Sequence, residues 1–220
     1  MSAPDPKSRI LPPGPKVAPE VVASAQGLSS ATVHEAGGKI GVMPPALKPV
    51  HDHFYVCGPA LTVQCPPGDN LWLHYAILAA QPGDVLVVDC GGVYDHGYWG
   101  EVMSTAAKAR GLGGMVIDGG VRDYTLLGEV GFPVFSRSLC IRGTTKDKGA
   151  IGWINAPLIF GSLVVQPGDL VIGDRDGVVT VPAARAEAVV AASRQRDSDE
   201  EAICRRLISG ETTLDIYGLG

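Results

Sequence analysis

Three side chains in this sequence form a set able to do chemistry: Glu101 and, after twenty intervening residues, Arg122 and Asp123. Two carboxylates and a guanidinium in one small volume suit a divalent cation together with an anionic substrate. Acidic oxygens fit Mg²⁺ or Mn²⁺, hard ions that keep several of their waters. The guanidinium fits a carboxylate or an oxyanion, which it can grip at two points. Whether the three residues meet depends on the chain between them.

That chain reads as strand, helix, strand. Val85 to Val88 is a short apolar run behind the turn Pro82-Gly83-Asp84, the pattern of a buried strand. Gly100 to Arg110 favours helix, with Ala106, Ala107 and Ala109 in its body and Gly111 where a left-handed C-terminal cap belongs. Met115 to Ile117 is a second apolar strand. The crossover makes the two strands parallel and puts their carboxyl ends on one edge of the sheet. The helix begins at that edge and the second strand returns to it, so Arg122 and Asp123 are expected beside Glu101. Free N–H groups at Gly100 to Met103 would add anion-binding donors, at the edge where open α/β sheets bind ligands. The same residues also fit a plainer reading, in which Arg122-Asp123 is a local ion pair and Glu101 complements the helix dipole.

The spacing from Glu101 to Arg122-Asp123 resembles the acidic-x20-Arg-Asp signature of the class II 4-hydroxy-4-methyl-2-oxoglutarate/4-carboxy-4-hydroxy-2-oxoadipate aldolases and their relatives, the RraA-like proteins. Further stretches look like that family: Ala31 to Ala36, Pro67-Gly68-Asp69-Asn70 with Leu73-His74, Gly97 to Glu101, and Leu214 to Tyr217. The resemblance implies an α/β fold, a β/β/α layered sandwich around the central βαβ unit with a C-terminal helical segment. It implies homotrimers or homohexamers with sites between subunits. The implied activity is a divalent-metal-dependent aldolase, a carbon–carbon lyase. It would cleave 4-carboxy-4-hydroxy-2-oxoadipate and 4-hydroxy-4-methyl-2-oxoglutarate to pyruvate and a second 2-oxo acid, with oxaloacetate decarboxylation alongside.

By the same resemblance Asp123 ligates Mg²⁺ or Mn²⁺, while Glu101, and Glu200 or Glu201 from a neighbouring subunit, hold the metal's waters. Arg122 would sit on the developing enolate oxygen, and the backbone of Gly100, Glu101, Val102 and Met103 would grip the pyruvyl carboxylate. The sequence departs from the family at the first signature position, commonly aspartate, and Val102-Met103 stand where a leucine pair is usual. Glu101 is one methylene longer than aspartate, which bears on the 2-oxo acid that fits.

The rest of the chain bounds these expectations. With 220 residues, 45% of them hydrophobic, the chain can bury a real core. Its formal net charge of −5, without a basic cluster, argues against nucleic acid and anionic membrane as partners. No run reaches membrane-spanning length and no signal peptide is visible, so a cytoplasmic location is expected. Five cysteines without a close pair suggest buried thiols rather than disulfides or zinc. Cys90 at the active edge would need a histidine partner to act as a nucleophile, and His96 is a weak candidate.

Residues 1–18, rich in proline, read as an extended arm able to wrap a neighbour, residues 19–182 as the α/β core, and residues 183–220 as a helix and tail contacting another subunit. Within the core, Val21 to Gln26 and Ser30 to Ala36 read as helices, with His34-Glu35 packed toward the sheet. Tyr55 to Cys57 and Ala60 to Gln64 read as two strands, and Asn70 to Ala80 as a helix capped by Asp69. Tyr124 to Glu129 reads as a helix, followed by strands at Pro133 to Phe135 and Leu139 to Ile141. Gln81-Pro82-Gly83-Asp84 recurs as Gln166-Pro167-Gly168-Asp169, two similar turns into strands. Strands are expected at Gly161 to Val165 and Leu170 to Gly173, then a hairpin turn at Asp174 to Gly177 leading to Val178 to Val181. The last helix, Ala183 to Ser209, has a plausible break at Asp197-Ser198-Asp199.

Two rival classes remain at this level. One is a non-catalytic RraA-like regulator binding a protein partner. The other, a methyltransferase, lacks the usual glycine-rich cofactor loop after a strand.

Overall fold

Residues 9–220 are described by a computed structural model. Its helices are α1 (Pro19–Ala25), α2 (Ser30–Ala36), α3 (Leu71–Ala79), α4 (Glu101–Ala109), α5 (Tyr124–Val130), α6 (Ala183–Ile208) and α7 (Thr213–Tyr217). Its strands are β1 (Lys48–Pro49), β2 (Val56–Gln64), β3 (Val85–Asp89), β4 (Gly97–Trp99), β5 (Gly114–Val121), β6 (Val134–Leu139), β7 (Trp153–Ile154), β8 (Leu158–Phe160), β9 (Leu163–Val165), β10 (Leu170–Asp174) and β11 (Gly177–Val181).

The innermost strands are the apolar runs of the sequence. Every residue of β5 is buried, and β3 is buried up to Asp89, as expected of parallel strands covered on both faces. Each fully buried valine or isoleucine there contributes about 1.5–3 kcal/mol. The strand path runs β1-β6-β5-β3-β2-β10-β11, parallel from β6 to β2 and antiparallel outside. The path curls until its ends approach, where the Lys48 ammonium donates to the Asp176 carbonyl in the β10–β11 turn. The result is a near-barrel α/β sheet with the C-terminal helix outside it. A larger core joins the parallel strands to α3, α4 and α5, and a smaller one joins β10 and β11 to α1, α2 and α6.

The repeated turns fold alike. Asp84 accepts from the Gln81 N–H at 2.9 Å and Asp169 from the Gln166 N–H at 2.8 Å, with Gly83 and Gly168 both at positive φ. Asp169 also accepts from the Ala183 N–H at 3.1 Å, capping α6 across the fold. Burial raises the Asp169 carboxyl pKa, and these two N–H donors work against that.

Several local expectations are corrected. The two strands foreseen before and after Gly58-Pro59 are one, β2. Pro59 lies opposite Leu170 on one side, and pairing with β3 starts only at Ala60, so the missing N–H breaks no ladder bond. Pro133 to Phe135 and Leu139 to Ile141 merge into β6 in the same way, with a register shift against β5 and Ile141 left exposed. No break occurs at Asp197-Ser198-Asp199. Gln195 donates to Asp199 at 2.8 Å and Arg196 pairs with Glu200 at 2.8 Å, so side-chain pairs one turn apart support α6 where a new cap was expected. His34 is half-buried, with Nδ1 against the Ile40 carbonyl at 3.0 Å, while Glu35 is exposed and faces Lys39.

The first eight residues of the proline-rich arm lie outside the described part. From Ile10 onward the arm follows its own chain, through Leu11 N–H to Ile154 carbonyl and Val17 N–H to Gly168 carbonyl, with Val17 buried. Among the described residues no helix is long and apolar enough to cross a membrane.

The cysteines do not pair. Burial pushes the Cys57 thiol up to about 11 and raises those of Cys65 and Cys90, so these three are poor nucleophiles. Cys204 is exposed and Cys140 partly so. Native protein treated with Ellman's reagent is therefore expected to react at no more than two thiols, Cys204 and Cys140, and at all five only in denaturant. Rapid native reaction of three or more would contradict this.

Candidate active site

The carboxyl edge of the sheet opens into a cavity of about 230 Å³ walled by β4, the start of α4 and the end of β5. The loop after β3 carries the chain out and back, and β4 then resumes the lane beside β5. There Gly97 pairs with Gly120 and Trp99 with Val121. So α4 springs from this added strand, not directly from β3, but still at the edge where β5 ends. Trp99 is anchored beneath the site by its indole N–H to Ser104 at 2.6 Å and is almost wholly buried.

Glu101, Arg122 and Asp123 are brought together here. The Asp123 carboxylate accepts from the Glu101 N–H at 3.1 Å, and Arg122 Nε lies 3.8 Å from the same oxygen. Arg122 and Asp123 both wall the cavity, with side chains 50% and 34% exposed, open to a ligand. Asp123 sits in the left-handed region, φ 63° and ψ 40°, uncommon for a residue with a Cβ and a form of strain that gathers at functional sites. Gly100 makes the close approach possible, since a Cβ there would lie 2.2 Å from Asp123 Oδ2 and 3.2 Å from Arg122 Cγ.

The helix start supplies fewer free donors than its sequence promised. The Glu101 N–H is taken by Asp123 and the Ser104 N–H by the Gly100 carbonyl, leaving Val102 and Met103 without an intrahelical or side-chain partner among the described residues. Both of these residues wall the cavity. Glu101 is placed by its backbone at the site, but its side chain is not among the cavity walls. Glu200 and Glu201 are not there either. They lie on α6 in a shallow cleft with Asp197, facing Arg196 and Arg205.

The cavity also holds Asn70, His74 and Lys146, to which the sequence reading gave no role. Asn70 and His74 are one turn apart at the start of α3, a spacing that puts them on one face. Asn70 is almost wholly buried and donates to the Tyr98 carbonyl at 2.8 Å. Its side-chain oxygen has no partner among the described residues. Partial burial and then the nearby Lys146 ammonium lower the His74 pKa, so its imidazole is neutral near pH 7. Tyr98, buried with its hydroxyl between the Gly68 N–H and the Val93 carbonyl, is pushed up to about 12 and stays protonated.

Cys90 is fully buried and makes no hydrogen bond to His96 among the described residues; the His96 imidazole lies instead 3.3 Å from the Asp95 carboxylate. Lys108 points down α4 to the Val130 carbonyl.

Comparison with known proteins agrees with this architecture. A family model described as "RraA-like: Aldolase/RraA" matches residues 24–180. A relative in Halalkalibacterium halodurans, named "Putative 4-hydroxy-4-methyl-2-oxoglutarate aldolase", is 38% identical over 171 residues, 78% of this chain and 80% of its own. An uncharacterized protein of Pseudomonas syringae has a crystal structure that superimposes with a TM-score of 0.80 at 29% identity, over 92% of this chain and 94% of that one. Streptomyces coelicolor RraAS2, described as "an unusual member of the RNase ES inhibitor RraA protein family", superimposes with a TM-score of 0.75 at 29% identity, over 87% of this chain and all of its own. With its core spanned by the family model and both the sequence and the fold of its relatives shared, this chain belongs to the RraA-like family.

Proposed function

We propose that this protein is a divalent-metal-dependent aldolase that releases pyruvate from 4-hydroxy-2-oxo acids with further carboxylates, such as 4-hydroxy-4-methyl-2-oxoglutarate and 4-carboxy-4-hydroxy-2-oxoadipate, and that also decarboxylates oxaloacetate. The observation that carries the reading is the meeting of Arg122, Asp123 and the unpaired amides of α4 on one small cavity. The names of the aldolase relatives point the same way.

The donor set fits a hard cation that keeps most of its water. Asp123 offers one carboxylate at the cavity wall, and among the described residues no three His, Cys, Asp or Glu side chains gather into a closed cage. Mg²⁺ or Mn²⁺ held at Asp123 supplies Lewis-acid polarisation of the 2-oxo group. The chain does the rest. The Val102 and Met103 amides hold the carboxylate next to that group. The C3–C4 bond breaks as the 4-hydroxyl gives its proton to a solvent water in the open cavity and becomes a carbonyl, the electron pair of the broken bond passing into the pyruvate enolate. Arg122 faces the negative charge that gathers on the C2 oxygen, in the manner of an oxyanion hole. The same water returns a proton to C3, which completes pyruvate.

Glu101 holds a water in this scheme, and Glu200 or Glu201 of a second copy holds another, in a homotrimer or homohexamer. Support for the second copy comes from the end of the chain. Past Ser193, α6 buries nothing, α7 buries nothing, and Ile208, Leu214, Tyr217 and Leu219 stand exposed.

A second reading, a non-catalytic regulator binding a protein partner, is favoured by the likeness to Streptomyces coelicolor RraAS2. Proton exchange separates the two without knowledge of the natural substrate. In D₂O with Mg²⁺, the methyl protons of pyruvate are expected to exchange in the presence of the protein, by ¹H NMR, and the exchange to stop with EDTA. Absence of exchange in folded, metal-replete protein would contradict the aldolase.

A further inference from the structure

The far wall of the cavity carries a cation without a counter-ion. Lys146 makes no ion pair among the described residues, in contrast to Arg122, which has Asp123 beside it. The walls that this one chain contributes therefore present two cations against one carboxylate before any metal is added, with His74 neutral. One anionic group on a ligand, held by Arg122 and the α4 amides, leaves Lys146 unmatched.

Lys146 is held over the cavity from both sides. The residues flanking it, Thr145 and Asp147, are staked on a single buried carboxylate, Asp69 Oδ2. It accepts from the Thr145 hydroxyl at 2.8 Å and from the Asp147 N–H at 2.6 Å. The other Asp69 oxygen accepts from the Leu71 N–H at 2.8 Å, and the Asn70 N–H donates to the Thr145 carbonyl at 3.2 Å. One buried aspartate thus fixes the start of α3, with Asn70 and His74, to the loop that carries Lys146. An exposed glycine-punctuated loop would otherwise leave a lysine free to wander. Asn70 adds a second sign that this wall faces a ligand, because its buried side-chain oxygen is left without a donor.

We propose that Lys146, positioned by Asp69, is the residue that selects substrates with a second carboxylate remote from the 2-oxo acid end. The inference rests on the pyruvate-releasing reading above and adds to it the residue that sets substrate class. A charge-assisted contact of this kind discriminates by about ten- to a hundredfold.

The test compares 4-hydroxy-4-methyl-2-oxoglutarate with 4-hydroxy-4-methyl-2-oxopentanoate, which lacks the second carboxylate, in wild type and in K146M, K146R, D69N and K148M. Wild type is expected to favour the diacid by about ten- to a hundredfold in kcat/KM. K146M should lose most of that preference, chiefly through KM, and K146R should recover part of it. D69N should reduce the preference in the same direction, and adding D69N to K146M should reduce it no further. K148M, on the neighbouring exposed lysine outside the cavity, should match wild type. Equal losses on both substrates in K146M, or an unchanged preference, would overturn the assignment of Lys146 while wild-type pyruvate exchange still upheld the aldolase. Failure of wild type to exchange pyruvate protons or to cleave either substrate would overturn the aldolase reading and this inference with it.

Discussion

Arg122→Ala is expected to lower kcat for pyruvate release by about a hundred- to a thousandfold while barely moving thermal stability. The size follows from the role. A donor aimed at the oxygen where charge develops acts mainly in the transition state, and losing one costs about 2.7–4 kcal/mol of barrier. The near-silence in stability follows from the geometry. The guanidinium is half exposed and its contact with Asp123 is a loose 3.8 Å, the kind of surface pair worth about 0–1 kcal/mol. Arg122→Lys should fall between the two, since it keeps the charge and loses the planar fork. Coupled-assay kinetics set beside a circular dichroism melt would check both halves. A melt lowered as severely as the activity would show Arg122 to be a structural residue.

The second large effect is expected from adding a single methyl group. In Gly100→Ala the new Cβ would lie 2.2 Å from Asp123 Oδ2 and 3.1 Å from its Cγ. The backbone itself accepts alanine, because Gly100 is extended at φ −163°. The cost is therefore steric and falls on the site. Asp123 must swing away and give up the Glu101 N–H, and its own left-handed backbone leaves it few alternatives. A displacement of about 1 Å at a reacting group is enough for roughly a hundredfold loss, so activity should fall by at least that much. Overpacking should cost about 1–3 kcal/mol of stability. Mn²⁺ binding, followed by electron paramagnetic resonance, should weaken in parallel. A variant with normal metal affinity and normal turnover would refute the placement of Asp123 at the metal.

How much of this was legible beforehand depends on the range over which each signal acts. β3, α4 and β5 were readable because their signals are local: the Pro82-Gly83-Asp84 turn, the alanine run and the glycine after the helix. The meeting of Arg122 with Glu101 followed from the handedness and direction of the crossover alone. β4 was not readable, since three residues carry no periodicity and Gly97 finds Gly120 only through the fold. Asp197-Ser198-Asp199 misled because a capping signal was outweighed by side-chain pairs one turn apart. α7 was readable in principle from Thr212 and Asp215, which form a capping box. Lys146 had no sequence signal, since its place depends on Asp69, 76 residues before Thr145.

The central claim, metal-assisted release of pyruvate, is tested most directly by a lactate dehydrogenase-coupled assay. The substrates are 4-carboxy-4-hydroxy-2-oxoadipate, 4-hydroxy-4-methyl-2-oxoglutarate and oxaloacetate, each with Mg²⁺ and with EDTA. The account predicts turnover on at least one of them that EDTA abolishes, Mg²⁺ restores and Asp123→Ala removes. Folded, metal-replete protein inert toward all three, or turnover indifferent to EDTA, would contradict it.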